Sequence, residues 1–234
     1  MVFLTTQAIK RDSELMLEKI YEQYALCVSD FDGVQGFTEG LQMEAYLTII
    51  KKHAGVEVAI ADIAPRLIGN TAVHNLTVLR EEYKLTPPVT ELVQERETIF
   101  LESVFSTGLK PNAVVHGICR EFAERGKMKP VIVSNNMQPV IEAILAFWGT
   151  RDLFSALHTS DNFPNQSLPI AERKLDFLLN HLPAMYGAKP EQILVLEDSV
   201  NTCRKAEEAC MAVGFVKHGL NMPFTPKTGI VIEG

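Results

Sequence analysis

The sequence is poor in positive charge and in long apolar runs, and each shortage excludes a class of protein. Its 234 residues carry 22 Lys and Arg against 29 Asp and Glu, a formal charge of −7. No cluster of Lys and Arg offsets this balance, so we expect no nucleic-acid partner. No run approaches the roughly 20 apolar residues of a spanning helix, so we expect no membrane partner. The short apolar start precedes its cations, the reverse of a signal peptide, which predicts a cytoplasmic protein.

Cysteine and histidine are also sparse, with four and six residues. Cys27, Cys119, Cys203 and Cys210 form no CxxC pair and lie within apolar patterns, which is typical of buried free thiols. The histidines are scattered along the chain. None of them indicates a metal site.

Apolar segments typical of strands alternate with segments of helical period over most of the chain. We predict strands over residues 25–30, 130–134, 153–160, 192–198 and 212–217, with helices between them. This alternation indicates an α/β protein whose parallel sheet is covered by helices on both faces. Residues 41–105 differ, because only helical segments occur there, broken at Gly55, Gly69 and Pro87-Pro88. We therefore predict a discontinuous core of residues 1–35 and 107–234, with an all-helical insertion over residues 36–106.

Polar side chains follow three of the predicted strands where each strand ends. They are Asp30 and Asp32, Ser134 with Asn135 and Asn136, and Glu197 with Asp198. Ligands of open parallel sheets bind beyond the carboxyl ends of the strands, so we expect these clusters to share one site. Four acids in one site resist ionising together unless a cation lies among them. Mg²⁺, which binds carboxylates and substrate phosphate, fits this need.

The Asp-x-Asp pair offers two different uses. Asp30 can act as metal ligand and nucleophile, while Asp32 moves a proton to a leaving group or from water. Taken alone, such a pair is more often a solvated loop, and Glu197 and Asp198 alone are more often the first acids of a helix. Their joint occurrence at strand ends favours the chemical interpretation.

Asp-x-Asp-Gly at a strand end, then a helical insertion, a Ser, a Lys and a Glu-Asp pair in this order, resembles the haloacid dehalogenase superfamily. The stretches "DFDGV" and "LEDS" look most like its phosphatase and β-phosphoglucomutase branch. The resemblance implies a Rossmann-like core, a helical cap, Mg²⁺ as cofactor and phosphoryl transfer through an aspartyl-phosphate. Phe37 and Thr38 stand where the family often has Asp-Ser or Asp-Thr, which predicts the loss of a polar contact at the cap hinge.

The resemblance also implies roles for single residues. Asp30 would be the nucleophile, and Asp32 the general acid/base. Ser134 and Asn135 would hold the transferring phosphoryl oxygens, with Gly33 as a further substrate-binding position.

The implied metal ligands are Asp30, the backbone carbonyl of Asp32 and Asp198, with Glu197 beside or just behind them. Lys174 lies 23 residues before Glu197, close to the usual family interval, and is the best candidate for the catalytic cation. The Lys-Pro run of the family is missing here. Arg173 therefore remains the alternative cation.

In the insertion, Gly69 and Asn70 lie where capped relatives place a substrate-reading loop. A helix break at Gly69 capped by Asn70 explains the same residues, so both interpretations stay open. The resemblance implies a Mg²⁺-dependent phosphatase of a small sugar or metabolite phosphate, as a monomer or homodimer. A phosphomutase is the close alternative, and a fold-retaining binding or regulatory protein without turnover is the second.

Overall fold

The computed structural model describes residues 3–4, 20–68, 70–219, 221 and 224–233. Its strands are β1 (Phe3–Leu4), β2 (Leu26–Ser29), β3 (Val131–Ser134), β4 (Ala156–Thr159), β5 (Ile193–Glu197), β6 (Ala212–Lys217) and β7 (Gly229–Glu233). They form one sheet in the order β1-β7-β6-β5-β2-β3-β4, and every neighbouring pair is parallel. The predicted α/β fold with a parallel sheet is confirmed.

Helices lie in the connections from β2 to β3, β3 to β4, β4 to β5 and β5 to β6. They are α1 (Glu39–Ala54), α2 (Ile60–Leu67), α3 (Ala72–Tyr83), α4 (Val89–Thr107), α5 (Ala113–Arg125), α6 (Gln138–Trp148), α7 (Ile170–Asp176), α8 (Leu182–Tyr186) and α9 (Val200–Glu208). A π-helical turn over Phe177–His181 joins α7 to α8, and residues 20–23 are also helical. Among the described helices, none combines the length and apolarity that a membrane crossing requires.

Local sequence explains where the helices begin and end. Helix α1 ends at Gly55, which has a left-handed φ of 70°. Glycine adopts this conformation at little cost because it has no Cβ. The side chain of Asn112 caps α5 by accepting hydrogen bonds from the backbone N–H groups of Val114 and Val115. Pro88 precedes α4, so the chain breaks where the prolines predicted it.

Strands β2, β3 and β5 are buried on both faces, as parallel strands between helices require. In β2, Cys27 belongs to a cluster with α5 and α6, and Val28 belongs to a cluster on the other face. A third hydrophobic cluster is formed by the four helices α1, α2, α3 and α4. Each helix contributes at least one fully buried residue, namely Tyr46, Ile63, Leu76 and Leu92 in that order. These four helices lie between β2 and α5 in the chain. The division at residues 36–106 remains a prediction.

Two strands and one cysteine differ from the sequence-based expectations. Strands β1 and β7 extend the sheet beyond β6 and were not predicted. Cys27, Cys119 and Cys203 are buried free thiols, but Cys210 is exposed, so that expectation was wrong. Cys210 follows α9 in a turn with a left-handed φ of 65°, which takes its side chain out of the helical pattern.

Candidate active site

The sheet brings the three polar clusters together at one edge. Strand β2 lies between β3 and β5, with Ser29 in register with Ile132 and Leu196. The chain passes from β2 through β3 to β4 on one side, and then returns to β5 on the other side. This is a topological switch point, where open parallel sheets bind their ligands.

Lys174 links the ends of β2 and β5. Its Nζ donates to Asp30 Oδ2 at 2.5 Å and to Glu197 Oε2 at 2.8 Å, and all three side chains are buried. Burial lowers the pKa of Lys174, but the charges of the two carboxylates outweigh it and raise the pKa above its usual value. Lys174 is therefore a charged buried cation in contact with the proposed nucleophile.

The protein holds Glu197 at both carboxylate oxygens. While Oε2 accepts from Lys174, Oε1 accepts from the backbone N–H groups of Asp198 and Ser199 at 3.2 and 3.0 Å. These contacts orient the carboxylate toward Lys174. Glu197 therefore fixes the position of the Lys174 ammonium group.

The Asp32 carboxylate is held from two sides. Oδ1 accepts from Thr38 Oγ1 at 2.6 Å and from Gln42 Nε2 at 2.5 Å, while Oδ2 accepts from Asn136 Nδ2 at 3.1 Å. Thr38 precedes α1, so the polar contact that Phe37 and Thr38 predicted to be missing is present. The expectation was wrong because the threonine hydroxyl donates to Asp32 at this position.

A second group of acids lies beside the first. Asp198 Oδ2 is 2.8 Å from His218 Nε2, and Glu39 Oε1 is 3.6 Å from the same nitrogen. Burial, together with the charges of Asp198 and Asp32, raises the pKa of Glu39 to about 9. Gly33, with φ of 72°, lies so close that a Cβ there would be 2.0 Å from Glu39 Oε1 and 2.5 Å from Asp198 Oδ2. Only glycine fits between these two carboxylates.

The donor set fits a hard divalent cation. Oxygen atoms of Asp30, Glu197 and Asp198 all lie within 4.8 Å of one another. Burial and the charge of Glu197 raise the pKa of Asp30 to about 7, although Lys174 lowers it. One lysine therefore leaves the acids short of positive charge, which a cation with oxygen ligands would supply.

The end of β3 faces a cavity. Ser134 is buried, and its Oγ accepts from the backbone N–H of Asn136 at 3.2 Å. Asn135 and Asn136 line a cavity of about 260 Å³, together with Thr71 of the helical insertion and Arg173. Arg173 donates to the carbonyls of Leu168 and Gln166, which anchors it at the cavity wall, and among the described residues it makes no hydrogen bond or ion pair with Asp30. The geometry favours Lys174 over Arg173 as the cation at Asp30.

The structure bears differently on Gly69 and Asn70, the two residues of the insertion that were predicted to contact substrate. Gly69 lies outside the described residues. Asn70 donates to the carbonyl of Arg66 at 3.0 Å, which closes the end of α2, and Thr71 caps α3 by accepting from the N–H of His74. Thr71 also lines the cavity, whereas Asn70 does not. Substrate contact by Gly69 or Asn70 remains a prediction.

Sequence reasoning missed Gln42, Glu39 and His218. Glu39 and Gln42 lie in the first turn of α1, where acidic and amide side chains are common. The only signal in the sequence is that this turn begins a few residues after Asp32. His218 directly follows β6, and a polar residue at the end of a parallel strand is the signal that could have found it.

Comparison with solved structures identifies the architecture. A predicted phosphoglycolate phosphatase from Haemophilus somnus 129PT is 17% identical, with a TM-score of 0.65 over 89% of this chain and 94% of that one. A haloacid dehalogenase-like hydrolase from Streptococcus pneumoniae is 13% identical, with a TM-score of 0.65 over 90% and 94%. This chain has the haloacid dehalogenase fold.

A third neighbour with this fold is a β-phosphoglucomutase from Clostridium difficile. It is 16% identical, with a TM-score of 0.63 over 85% of this chain and 86% of that one. No family model matches the chain, and no curated protein matches it significantly. The fold implied by the resemblance is confirmed.

Proposed function

We propose that the protein is a Mg²⁺-dependent phosphatase that hydrolyses a small phosphate monoester through a phosphoryl group on Asp30. The observation that carries this is the buried Lys174, which joins Asp30 at the end of β2 to Glu197 at the end of β5. A lysine so placed neutralises negative charge at a nucleophilic carboxylate and at an incoming phosphoryl group. The phosphatases and mutases among the structural neighbours support the same chemistry.

The residues divide the reaction into two steps. In the first, a carboxylate oxygen of Asp30 bonds to phosphorus, the ester P–O bond breaks, and Asp32 gives its proton to the leaving oxygen. In the second, Asp32 takes a proton from water, whose oxygen attacks phosphorus and releases inorganic phosphate from Asp30. Ser134 and Asn135 hold phosphoryl oxygens throughout.

Asp30, Asp198 and the carbonyl of Asp32 would hold Mg²⁺, with Glu197 behind them as the anchor of Lys174. The cation supplies charge that balances the acids and the phosphoryl oxygens. The chain's own contribution is to keep Asp30 and Lys174 together and Asp32 oriented by three donors. Because Oδ2 is held by Lys174, the oxygen of Asp30 that would bond to phosphorus is Oδ1, which accepts from the N–H of Phe31.

A panel of phosphorylated metabolites tests the proposal directly. We expect inorganic phosphate to be released in the presence of Mg²⁺, to stop in excess EDTA and to return when Mg²⁺ is restored. A phosphomutase would convert a sugar phosphate to an isomer without releasing phosphate. A binding protein would do neither. Release that continues unchanged in excess chelator would contradict the metal assignment.

His218 offers a separate test of the metal site. It contacts Asp198 Oδ2 at 2.8 Å and therefore orients a proposed ligand. We expect His218→Ala to weaken Mg²⁺ binding about 10- to 100-fold, measured by calorimetry on the metal-free protein. His218→Gln, which keeps an N–H donor, is expected to recover part of this loss.

The matched control is His74→Ala, because His74 is exposed on α3. Its Mg²⁺ affinity should equal that of the wild type. Equal affinity in His218→Ala as well would show that the histidine does not orient Asp198.

A further inference from the structure

Trp148 is the last residue of α6, and several contacts hold its indole in place. Its Nε1–H donates to the carbonyl oxygen of Leu109 at 2.7 Å. The ring of Phe31, the residue directly before Asp32, stacks on it at a centroid distance of 5.8 Å, and the ring of His116 meets it edge-on at 5.7 Å. The indole is therefore fixed at its polar edge and by two neighbouring rings.

The same indole lies against the chain that leads from β2 to α1. A Cβ added to Gly36 would lie 2.7 Å from Cη2 and 3.0 Å from Cζ2 of Trp148, so the backbone at Gly36 packs directly on the ring. Gly36 does not have a left-handed φ. The closeness of the ring, rather than the conformation of the backbone, therefore requires glycine at this position.

Helices α1 to α4 join the rest of the fold through two connections, residues 30–38 before α1 and residues 108–112 after α4. Trp148 contacts the first connection through its ring and the second through its Nε1–H. The two connections also bind each other, because the N–H of Asn112 donates to the carbonyl of Gln35 at 2.8 Å. Both ends of the four-helix segment are therefore held together at one point beside α6.

A short series of contacts leads from Gly36 to the proposed acid/base. The carbonyl of Gly36 accepts from the N–H groups of Gly33 and Thr38, both at 3.0 Å. The backbones of Asp32 and Gly36 also form an isolated parallel bridge. The hydroxyl of Thr38 then donates to Asp32 Oδ1 at 2.6 Å. A displacement of Gly36 would therefore move the donor that orients Asp32.

We infer that Trp148 is a positioning residue for Asp32. Its indole holds the first connection against α6 through Phe31 and Gly36, so that Thr38 stays within hydrogen-bond distance of the Asp32 carboxylate. The inference rests on the proposed function, in which Asp32 gives and takes the proton. A displacement of about 1 Å at a catalytic group can reduce a rate about 100-fold, so a rigid contact behind Gly36 matters for proton transfer.

Gly36→Ala tests the inference, because it inserts a methyl group between the first connection and the indole. We expect kcat/KM for an alkyl ester, glycerol 3-phosphate, to fall about 10- to 100-fold, since the alkoxide needs a proton from a correctly placed acid. For a nitrophenyl ester, whose leaving group needs no proton, kcat/KM should change less than about 3-fold. A purely structural defect would lower both values equally.

Gly40→Ala is the matched control, because a Cβ at Gly40 in α1 would meet nothing within 4 Å. It should leave kcat/KM for both esters unchanged. Trp148→Phe is a second variant, which keeps a ring but removes the donor to Leu109, and the same selective loss should be about 3- to 10-fold. Equal losses for the two esters in Gly36→Ala and Trp148→Phe, or no loss in either variant, would overturn the positioning role while leaving the phosphatase proposal intact.

Unfolding in urea separates the two proposals, because it needs no turnover. Thr38→Val removes the hydroxyl donor to Asp32 and should lower the stability of the wild type. Gly36→Ala should already displace this hydroxyl, so Thr38→Val should cost less stability in that background, whereas its effect and that of Gly40→Ala should add. If the wild type hydrolyses neither ester but this non-additivity is seen, the phosphatase proposal fails and the positioning role stands. Additive effects of Gly36→Ala and Thr38→Val would overturn the positioning role.

Discussion

Asp30→Asn should reduce phosphatase turnover at least about 1,000-fold and abolish the phosphoenzyme. The amide is a poor nucleophile, and the change also removes one proposed metal ligand and the partner of Lys174 at 2.5 Å. Intact-mass measurement after brief exposure to an activated phosphate ester, such as a nitrophenyl ester, reads the result. The wild type should gain one phosphoryl group on Asp30, and the variant should gain none.

Asp32→Asn is the matched comparison, because it lies two residues away and keeps its backbone carbonyl. It cannot protonate an alkoxide or deprotonate water, but a nitrophenyl leaving group needs no proton. We therefore expect phosphorylation of Asp30 to continue and its hydrolysis to slow, so that the adduct accumulates. A phosphoryl adduct on the Asp30→Asn protein, or one mapped in wild type to another residue, would overturn the roles given to this pair.

Lys174→Met should lower both activity and stability. Removing one partner of a buried ion pair leaves the others uncompensated, here Asp30 and Glu197, and typically costs about 3–5 kcal/mol of the free energy of unfolding. Turnover should fall about 100-fold or more, because charge at the phosphoryl group is no longer neutralised. Urea denaturation of the metal-free protein and steady-state kinetics measure the two effects.

Two further variants show whether these losses come from the removed charge of Lys174. Lys189→Met changes an exposed lysine near β5 and should alter neither quantity. Adding Glu197→Gln to Lys174→Met removes one of the two unpaired charges, so part of the lost stability should return while activity stays low. Full activity in Lys174→Met, with loss in Arg173→Met, would transfer the catalytic role to the alternative cation.

The central part of the fold could be predicted because it depends on local patterns. Strands β2, β3 and β5 are short apolar runs that end in polar residues, and alternation with helices implies a parallel sheet. That was enough to expect Asp30, Ser134 and Glu197 near each other. Strand β1 has two residues, and β7 follows residues 224–228, which lie outside any helix or strand, so neither strand shows an alternating pattern in the sequence.

The partners of the site depend on tertiary contacts that no local pattern specifies. Thr38 and Gln42 reach Asp32 only because the turn around Gly33 places the start of α1 beside it. The burial of Arg96 in the packed helices is a second example, because Arg96 occurs in a helix with several charged residues, where arginine normally faces water. Its burial follows from the packing of α4 against α1, which brings Tyr46 over the guanidinium.

The two oxygens of Asp32 are chemically inequivalent. Oδ1 accepts two short hydrogen bonds, from Thr38 and Gln42, and has little capacity to carry a proton as well. Oδ2 accepts from Asn136 at 3.1 Å and is the oxygen on which a proton costs least. In the proposed reaction, we therefore expect the proton that passes to the leaving group and returns from water to travel through Oδ2, on the side of β3. The donors on Oδ1 would thus give the proposed proton path a fixed direction.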